Sequence, residues 1–253
     1  MAQTLHDKVA IVSGSSSGIG AAIARELASK GASVTVNYPY ARLREEAEGV
    51  LSTLATPGIA VEADLSTVTG PGKLVQKTVE EFGHIDILIN NAALAVNLPF
   101  EEQTLEHWDF LVNLNGRGTF LLTQEVLKHI TKGSGRIVNI ASASARAPPP
   151  LQTIYAGTKG MVDSFTRCWA KELPPKYGCT VNAVSPGPTR TEGFAAAGKE
   201  AMKVLSPTID ATPCGKRMGE VAEIAYAVGT LCEPRASWIC GTHMVVSGGL
   251  QVD

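Results

Sequence analysis

Seven short apolar runs recur along the chain, with little alternation between apolar and polar positions. They are "KVAIVS" (8–13), "ASVTVNY" (32–38), "GIAVEADL" (58–65), "HIDILINNA" (84–92), "GRIVNIAS" (135–142), "CTVNAVSPG" (179–187) and "THMVVSGG" (242–249). Strands buried on both faces of a parallel sheet read this way. Helix-like segments separate them, at 18–30, 42–54, 70–82, 105–130, 153–177 and 219–232. In the first of these, Ile19, Ile23 and Leu27 recur every fourth residue, which marks one apolar face. The segment 42–54 is charged and amphipathic. Alternation of strand and helix predicts an α/β fold: an open, doubly wound parallel sheet of about seven strands with helices on both faces.

No repeat, low-complexity tract or linker divides the chain, so one domain is expected over residues 1–253. The long irregular segment is 188–218, rich in Ala, Gly, Pro and Thr. A hydrophobic content of 44% supports a large core, and 18% charged residues is too few for a solvated coil. The net charge is −2 and no basic block is present, which argues against nucleic acid or an acidic membrane as partner. Cys168, Cys179, Cys214, Cys232 and Cys240 show no metal-ligand spacing, and neither do the histidines. No metal is therefore expected, and the thiols read as reduced. His6, His84, His107, His129 and His243 read as surface or loop residues, and Trp108, Trp169 and Trp238 as packing residues. The start, "MAQTLHDKVAIV", lacks a secretory pattern, and no apolar run would span a bilayer. A soluble cytoplasmic protein is the expectation.

The first run leads into Ser13-Gly14-Ser15-Ser16-Ser17-Gly18-Ile19-Gly20, and a helix follows at once. Glycines at 14, 18 and 20 permit a tight turn and let a pyrophosphate reach the helix N-terminus. Ser16 and Ser17 add hydroxyl donors. A second stretch, "YAGTK" (155–159), places Tyr155 and Lys159 on one face of a helix. A free tyrosine has a pKa of ~10, and a nearby ammonium favours its phenolate, which suits the group to proton transfer. Gly157 and Gly160 each cost a helix ~1 kcal/mol relative to alanine. They suggest that a cofactor ring or a neighbouring helix packs closely on this turn.

The combination GxxxGxG and YxxxK resembles the short-chain dehydrogenase/reductase family, and the resemblance extends over almost the whole chain. Ser142 lies thirteen residues before Tyr155, as in the family. "NNAA" (90–93) stands where the family has Asn-Asn-Ala-Gly, and "PGPTRT" (186–191) matches the segment that holds the nicotinamide carboxamide. The resemblance implies a Rossmann-like fold that binds a nicotinamide dinucleotide. It implies that Tyr155 exchanges a proton with the carbonyl oxygen and that Ser142 hydrogen bonds the same oxygen. Lys159 would bind the ribose hydroxyls and lower the Tyr155 pKa, and Asn115 would hold a water linking Lys159 to solvent. Gly14, Ser16, Ser17, Gly18, Ile19, Gly20, Asp64, Leu65, Asn91, Ala92, Ala93, Pro186, Gly187, Thr189 and Thr191 would contact the cofactor. Three positions depart from the family pattern: Ser13 for threonine, Ala93 for glycine and Ser247 for aspartate.

Many NAD binders carry an acid after the second strand. This chain has "VNYPYARLR" there, with Asn37 at the acidic position and Arg42 and Arg44 close behind. An amide does not repel a 2′-phosphate, and an arginine pairs with one. The sequence therefore favours NADP(H) over NAD(H), with Asn37, Tyr38 and Arg42 around the adenosine phosphate. By resemblance, the loop 144–155 with Pro148, Pro149 and Pro150, and the segment 192–213, wall the substrate pocket. Phe194, Ala195, Ala196, Ala197, Met202 and Leu205 make a mainly apolar ketone or aldehyde plausible. The expected activity is carbonyl reduction or alcohol oxidation on a small molecule. The competing readings are a nicotinamide-binding sensor or scaffold, and an epimerase or dehydratase without net cofactor turnover. A homo-oligomer, tetramer or dimer, built through 105–130 and 153–177 is expected by resemblance.

Overall fold

A computed structural model of the chain describes residues 3–192 and 206–252. Strands β1 (Val9–Val12), β2 (Ser33–Tyr38), β3 (Gly58–Glu62), β4 (Ile87–Asn90), β5 (Arg136–Ile140), β6 (Thr180–Pro186) and β7 (His243–Val246) form one sheet. Its order is β3-β2-β1-β4-β5-β6-β7, and every neighbouring pair is parallel. The main helices are α1 (Gly18–Ser29), α2 (Arg44–Leu51), α3 (Gly70–Phe82), α4 (Leu105–Leu111), α5 (Thr119–Leu127), α6 (Thr153–Glu172) and α7 (Val221–Cys232).

The unbroken apolar runs have a direct cause, because the sheet is covered on both faces. Ala10 and Val12 of β1 join one core cluster with Ile23 and Leu27 of α1 and Ile224, Val228 and Leu231 of α7. Ile11, between them, points the other way into a second cluster with Leu74 of α3, Leu122 and Val126 of α5, and Trp169 of α6. Each such side chain contributes roughly 1.5–3 kcal/mol when fully buried. Buried polar ladders then fix the helices against the sheet. Asn90 donates to Thr123 Oγ1 (3.0 Å) and to Asn139 Oδ1 (2.8 Å), and Asn139 donates to Thr166 Oγ1 (2.8 Å).

Two predicted helices are interrupted. The pattern predicts one helix over 105–130, but α4 passes into a π-helical stretch, Val112–Gly118, before α5 begins. The wider turn carries Asn115, whose side chain is bonded to the backbone of Leu94. The helix predicted over 153–177 ends at Glu172, and the separate turn Pro174–Tyr177 follows. The ring of a proline blocks helical continuation.

Several smaller expectations are corrected. Trp108 and Trp238 are exposed, Trp238 at 97%, so of the tryptophans only Trp169 packs inside, stacked on Phe165 at 5.1 Å. His243 is no surface residue: its side chain is 5% exposed and its Nδ1 lies 2.8 Å from Asp163. Among the described residues, no helix is long and apolar enough to cross a membrane. Phe194, Ala195, Ala196, Ala197, Met202 and Leu205 lie outside the described residues.

Candidate active site

The chain builds outward from β1 through β2 and β3, then returns to β4 on the other side of β1. Ligands of open α/β sheets bind where the strand order reverses, beyond the carboxyl ends of the strands. A cleft of about 520 Å³ opens at that place. Of the residues named from the sequence, Gly14, Ser16, Ser17, Gly18, Ile19, Gly20, Asn37, Asp64, Leu65, Asn91, Ala92, Ala93, Ser142, Tyr155, Lys159, Pro186, Gly187, Thr189 and Thr191 line it. Tyr38, Arg42 and Asn115 do not line it.

The glycine loop is shaped by its own side-chain braces. Gly14 has a φ of +59°, in the region that favours glycine. A Cβ on Gly20 would stand 2.4 Å from the Gly14 carbonyl oxygen, so α1 begins against the loop only because that atom is missing. Ser13 keeps the hydroxyl expected there and uses it. It accepts from the Asn91 and Ala92 amides (2.9 and 3.0 Å) and donates to the Ile89 carbonyl (3.1 Å). Asn37 is 1% exposed, and its Oδ1 accepts from the Gly14 amide at 3.0 Å. Its Nδ2 donates to the carbonyls of Ala63 (3.0 Å), Val61 (3.3 Å) and Tyr38 (3.4 Å). The amide thus ties the glycine loop to the ends of β2 and β3. At the first residue of α1, the Gly18 amide donates to Glu192 Oε2 at 2.9 Å. The helix N-terminus holds a carboxylate where it would also hold a phosphate.

The far end of the cleft differs from the expectation. Tyr38 is 1% exposed and its ring belongs to the core, because it closes β2 on the inner face of the sheet. Tyr40, two residues on, lines the cleft instead. Arg42 reaches the rim through it, its guanidinium 5.1 Å from the Tyr40 ring centre. Arg44 points elsewhere, toward the Tyr38 hydroxyl (3.4 Å) and Glu48 (3.6 Å). Asp64 folds back on its own turn, accepting from the Ser66 amide and hydroxyl at 2.9 and 2.7 Å.

At the chemical end, Tyr155 and Ser142 stand on the same cleft wall, and the Ser142 side chain favours the phenolate. Burial raises the Tyr155 pKa above its ordinary value, and the Ser142 side chain only partly offsets this. The net shift of the phenol is upward, opposite in direction to the one expected from the neighbouring lysine, because burial outweighs it. Lys159 lies 5.9 Å from the Tyr155 ring centre, and its Nζ donates to the Ile140 carbonyl at 2.7 Å. Lys159 is 4% exposed, and burial lowers its pKa from 10.5 to about 8. Asn115 braces the fold through its side chain. Its amide bonds the Leu94 N–H and carbonyl (3.0 and 2.9 Å) and Thr158 Oγ1 (3.0 Å). It holds the segment after β4 against α6. Among the described residues, nothing lies within 4 Å of a Cβ built on Gly157, and one built on Gly160 meets the Ala145 carbonyl oxygen at 3.8 Å, so no close neighbour within the chain accounts for these glycines.

The departures from the family pattern are accommodated. Ala93 is not among the residues with positive φ, so its methyl causes no backbone strain. Ser247 closes a turn with Gln251 by hydrogen bonds of 3.1 and 3.2 Å. Sequence reasoning missed Pro39, Tyr40, Ser66, Leu94, Phe110 and Leu114 on the cleft wall. Only Tyr40 carried a signal, as an aromatic residue beside the arginines in "YPYAR".

A family model described as enoyl-(acyl carrier protein) reductase matches residues 14–251. The chain is 38% identical over 252 residues to the short-chain dehydrogenase/reductase FrzI of Cladobotryum sp, covering 98% of this chain and 97% of that one. It is 35% identical to the hydroxynaphthalene reductase arp2 of Aspergillus fumigatus, over 94% of this chain and 90% of the other. Among solved structures, a short-chain dehydrogenase from Burkholderia cenocepacia in complex with NADP is similar, with a TM-score of 0.90 and 32% identity. That similarity covers 98% of this chain and all of the other.

Proposed function

The chain belongs to the short-chain dehydrogenase/reductase family of oxidoreductases, and from that premise we propose that it is an NADP(H)-dependent carbonyl reductase or alcohol dehydrogenase. The observation that carries this reading is that Ser142, Tyr155 and Lys159 share the wall of the cleft that the glycine loop begins. The whole chain acts as one dinucleotide-binding domain, with 188–218 as its substrate lid.

The residues present fit a nicotinamide dinucleotide. The missing Cβ at Gly20 leaves the loop tight against α1, and the Gly18 amide already takes a carboxylate. Gly14 to Gly20 would hold the pyrophosphate, Asp64 and Leu65 would flank the adenine, and Pro186 to Thr191 would hold the nicotinamide end. The absence of an acid at 37 and the Tyr40–Arg42 pair at the rim support NADP(H) over NAD(H). The Burkholderia neighbour bound to NADP supports the same choice. When bound, the cofactor supplies the hydride.

The chain's own residues supply the proton and the orientation. A phenol kept neutral by burial is the correct state for a general acid, so Tyr155 donates its proton to the carbonyl oxygen during reduction. Ser142 donates a hydrogen bond to the same oxygen and steadies its developing charge. Lys159, charged below about pH 8, draws the ribose hydroxyls and stabilises the phenolate left behind. In the reverse direction Tyr155 accepts the proton of the alcohol. The substrate is a mainly apolar ketone, in keeping with the hydroxynaphthalene reductase among the relatives. A homo-oligomer is part of the proposal, and the exposed Trp108, Phe110 and Phe120 on α4 and α5 support it.

The first experiment titrates the protein with NADPH and NADH by nicotinamide fluorescence. Turnover of cyclohexanone, acetophenone and ethyl acetoacetate is then followed. Tighter NADPH binding that Arg42→Ala selectively weakens is expected, with NADPH consumed in proportion to alcohol formed. Tyr155→Phe should abolish reduction and leave cofactor binding nearly intact. Retained reduction in that variant would overturn the mechanism. Product without net consumption would point to an epimerase or dehydratase, and binding without product to a sensor.

A further inference from the structure

The helix that carries Tyr155 and Lys159 starts without a cap of its own. Gln152 stands at the cap position, and its side chain makes no capping bond. Its amide is engaged elsewhere, accepting from Ser144 Oγ at 2.8 Å and donating to Asn97 Oδ1 at 2.9 Å. Yet the first amides of a helix lack intrahelical partners. One of them, the Ile154 N–H, donates to Gln103 Oε1 at 3.2 Å. Gln103 lies far away in sequence, between the short turn Phe100–Glu102 and α4.

The other end of the same amide is also engaged. Gln103 Nε2 donates to the Leu98 carbonyl at 2.8 Å and to the Leu151 carbonyl at 3.4 Å. Leu151 has a φ of +71°, a conformation that disfavours a branched residue. Its carbonyl is also bonded by the Leu98 amide at 3.0 Å. Leu151 is the hinge by which the loop after Ser142 turns into α6. One side chain therefore meets the segment after β4, the strained hinge, and the residue immediately before Tyr155.

We propose that Gln103 is a positioning residue for the proton donor. It caps α6 from outside, holds Leu151 in its left-handed conformation, and so fixes the Tyr155 phenol against Ser142. Gln103 touches neither the phenol nor the cofactor cleft, so it acts only through the backbone of 151–154. The turnover part of this inference rests on the reductase reading above; the structural part does not.

The test compares wild type with Gln103→Leu, similar in bulk but unable to bond, and Gln103→Glu, which keeps only the acceptor for Ile154. Leu151→Gly and the Gln103→Leu/Leu151→Gly pair complete the set. Hydrogen exchange is measured over 150–160, NADPH affinity by fluorescence, and kcat and KM on whichever of the three ketones wild type reduces. Gln103→Leu should speed exchange at 151–156 roughly tenfold and lower kcat by about tenfold, since a small misplacement of a reacting group has effects of this size. NADPH affinity should stay within about twofold of wild type, because the cleft is untouched. Gln103→Glu should recover little of the kcat, because its second oxygen would face the Leu98 and Leu151 carbonyls, and Leu151→Gly should lessen the effect of Gln103→Leu, because glycine needs no help at positive φ. Unchanged exchange in Gln103→Leu overturns the proposal, as does faster exchange with unchanged kcat. An equal loss of NADPH affinity also overturns it, because the effect would then be general. If wild type reduces none of the ketones, the reductase reading fails on its own and the exchange measurement still decides the cap.

Discussion

Replacing Lys159 by methionine should make the fold more stable at neutral pH while abolishing turnover. Lys159 is 4% exposed, with a carbonyl oxygen as its hydrogen-bond partner, that of Ile140 at 2.7 Å. Burial lowers its pKa from 10.5 to about 8. At 1.36 kcal/mol for each pKa unit, that difference corresponds to about 3 kcal/mol of destabilisation borne by the folded chain. Methionine removes the charge and fills a similar volume, but it leaves the Ile140 carbonyl without its bond, which costs roughly 1–2 kcal/mol. The net gain is about 1–2 kcal/mol, or roughly 3–6 °C in Tm for a domain of this size.

The pH dependence follows from the direction of the shift. Below pH 8 the lysine is charged in both states and the folded chain bears the full penalty. Between pH 8 and 10.5 the folded chain loses the proton while the unfolded chain keeps it, so the wild type gains stability relative to the variant. The advantage of Lys159→Met should therefore vanish within this window and reverse by about 1 kcal/mol near its upper end, where only the lost bond to Ile140 remains. Thermal unfolding of both proteins by circular dichroism, without cofactor and from pH 7 to pH 10.5, measures it. Taking the difference between the two proteins removes the groups they share. A variant less stable than wild type at pH 7, or an advantage that does not change with pH, would refute the reasoning.

Further outcomes are expected at the other end of the cleft. Asn37→Asp should not convert the protein to NADH use. An aspartate oxygen would face the three carbonyls that now receive Nδ2 hydrogens, so stability should fall by about 1–3 kcal/mol and both cofactors should bind more weakly. A variant of normal melting temperature that prefers NADH would contradict this. Glu192→Gln should tighten NADPH binding by roughly two- to fivefold, because the carboxylate on the Gly18 amide competes with the incoming phosphates. Weaker binding in fluorescence titrations would show that Glu192 assists the cofactor instead.

Much of this architecture was legible in the sequence because burial on both faces removes alternation from a strand. Each predicted run contains the strand later found, and α1 follows the glycine loop as its spacing requires. The glycine loop, Ser142, Tyr155 and Lys159 were legible because their chemistry demands particular residue types at fixed spacing. The π-helical stretch around Asn115 was not, since no local pattern marks it and the bond Asn115 makes there is to Leu94, distant in sequence. Tyr38 was misplaced because a strand's last residues look alike whether they face core or cleft, and one residue reverses the side. The phenol pKa was misjudged for a related reason. Spacing reveals the neighbouring lysine, but desolvation depends on everything packed around the pair. Gln103 left no trace, because a cap supplied from another element has no spacing to detect.

The Asn37 brace also constrains how this lineage can change its redox partner. A position usually thought of as a switch between two nucleotide pools is here a structural keystone for the loop that both nucleotides need. Mutational drift toward the other pool cannot pass through position 37 without first weakening the loop. The accessible route runs over the exposed rim, where Tyr40 and Arg42 stand out from a short turn that touches the core through Leu43. Under the proposed NADP(H) reading, electron-donor choice can be retuned at the rim while the loop stays fixed, and an engineer seeking that change should begin there.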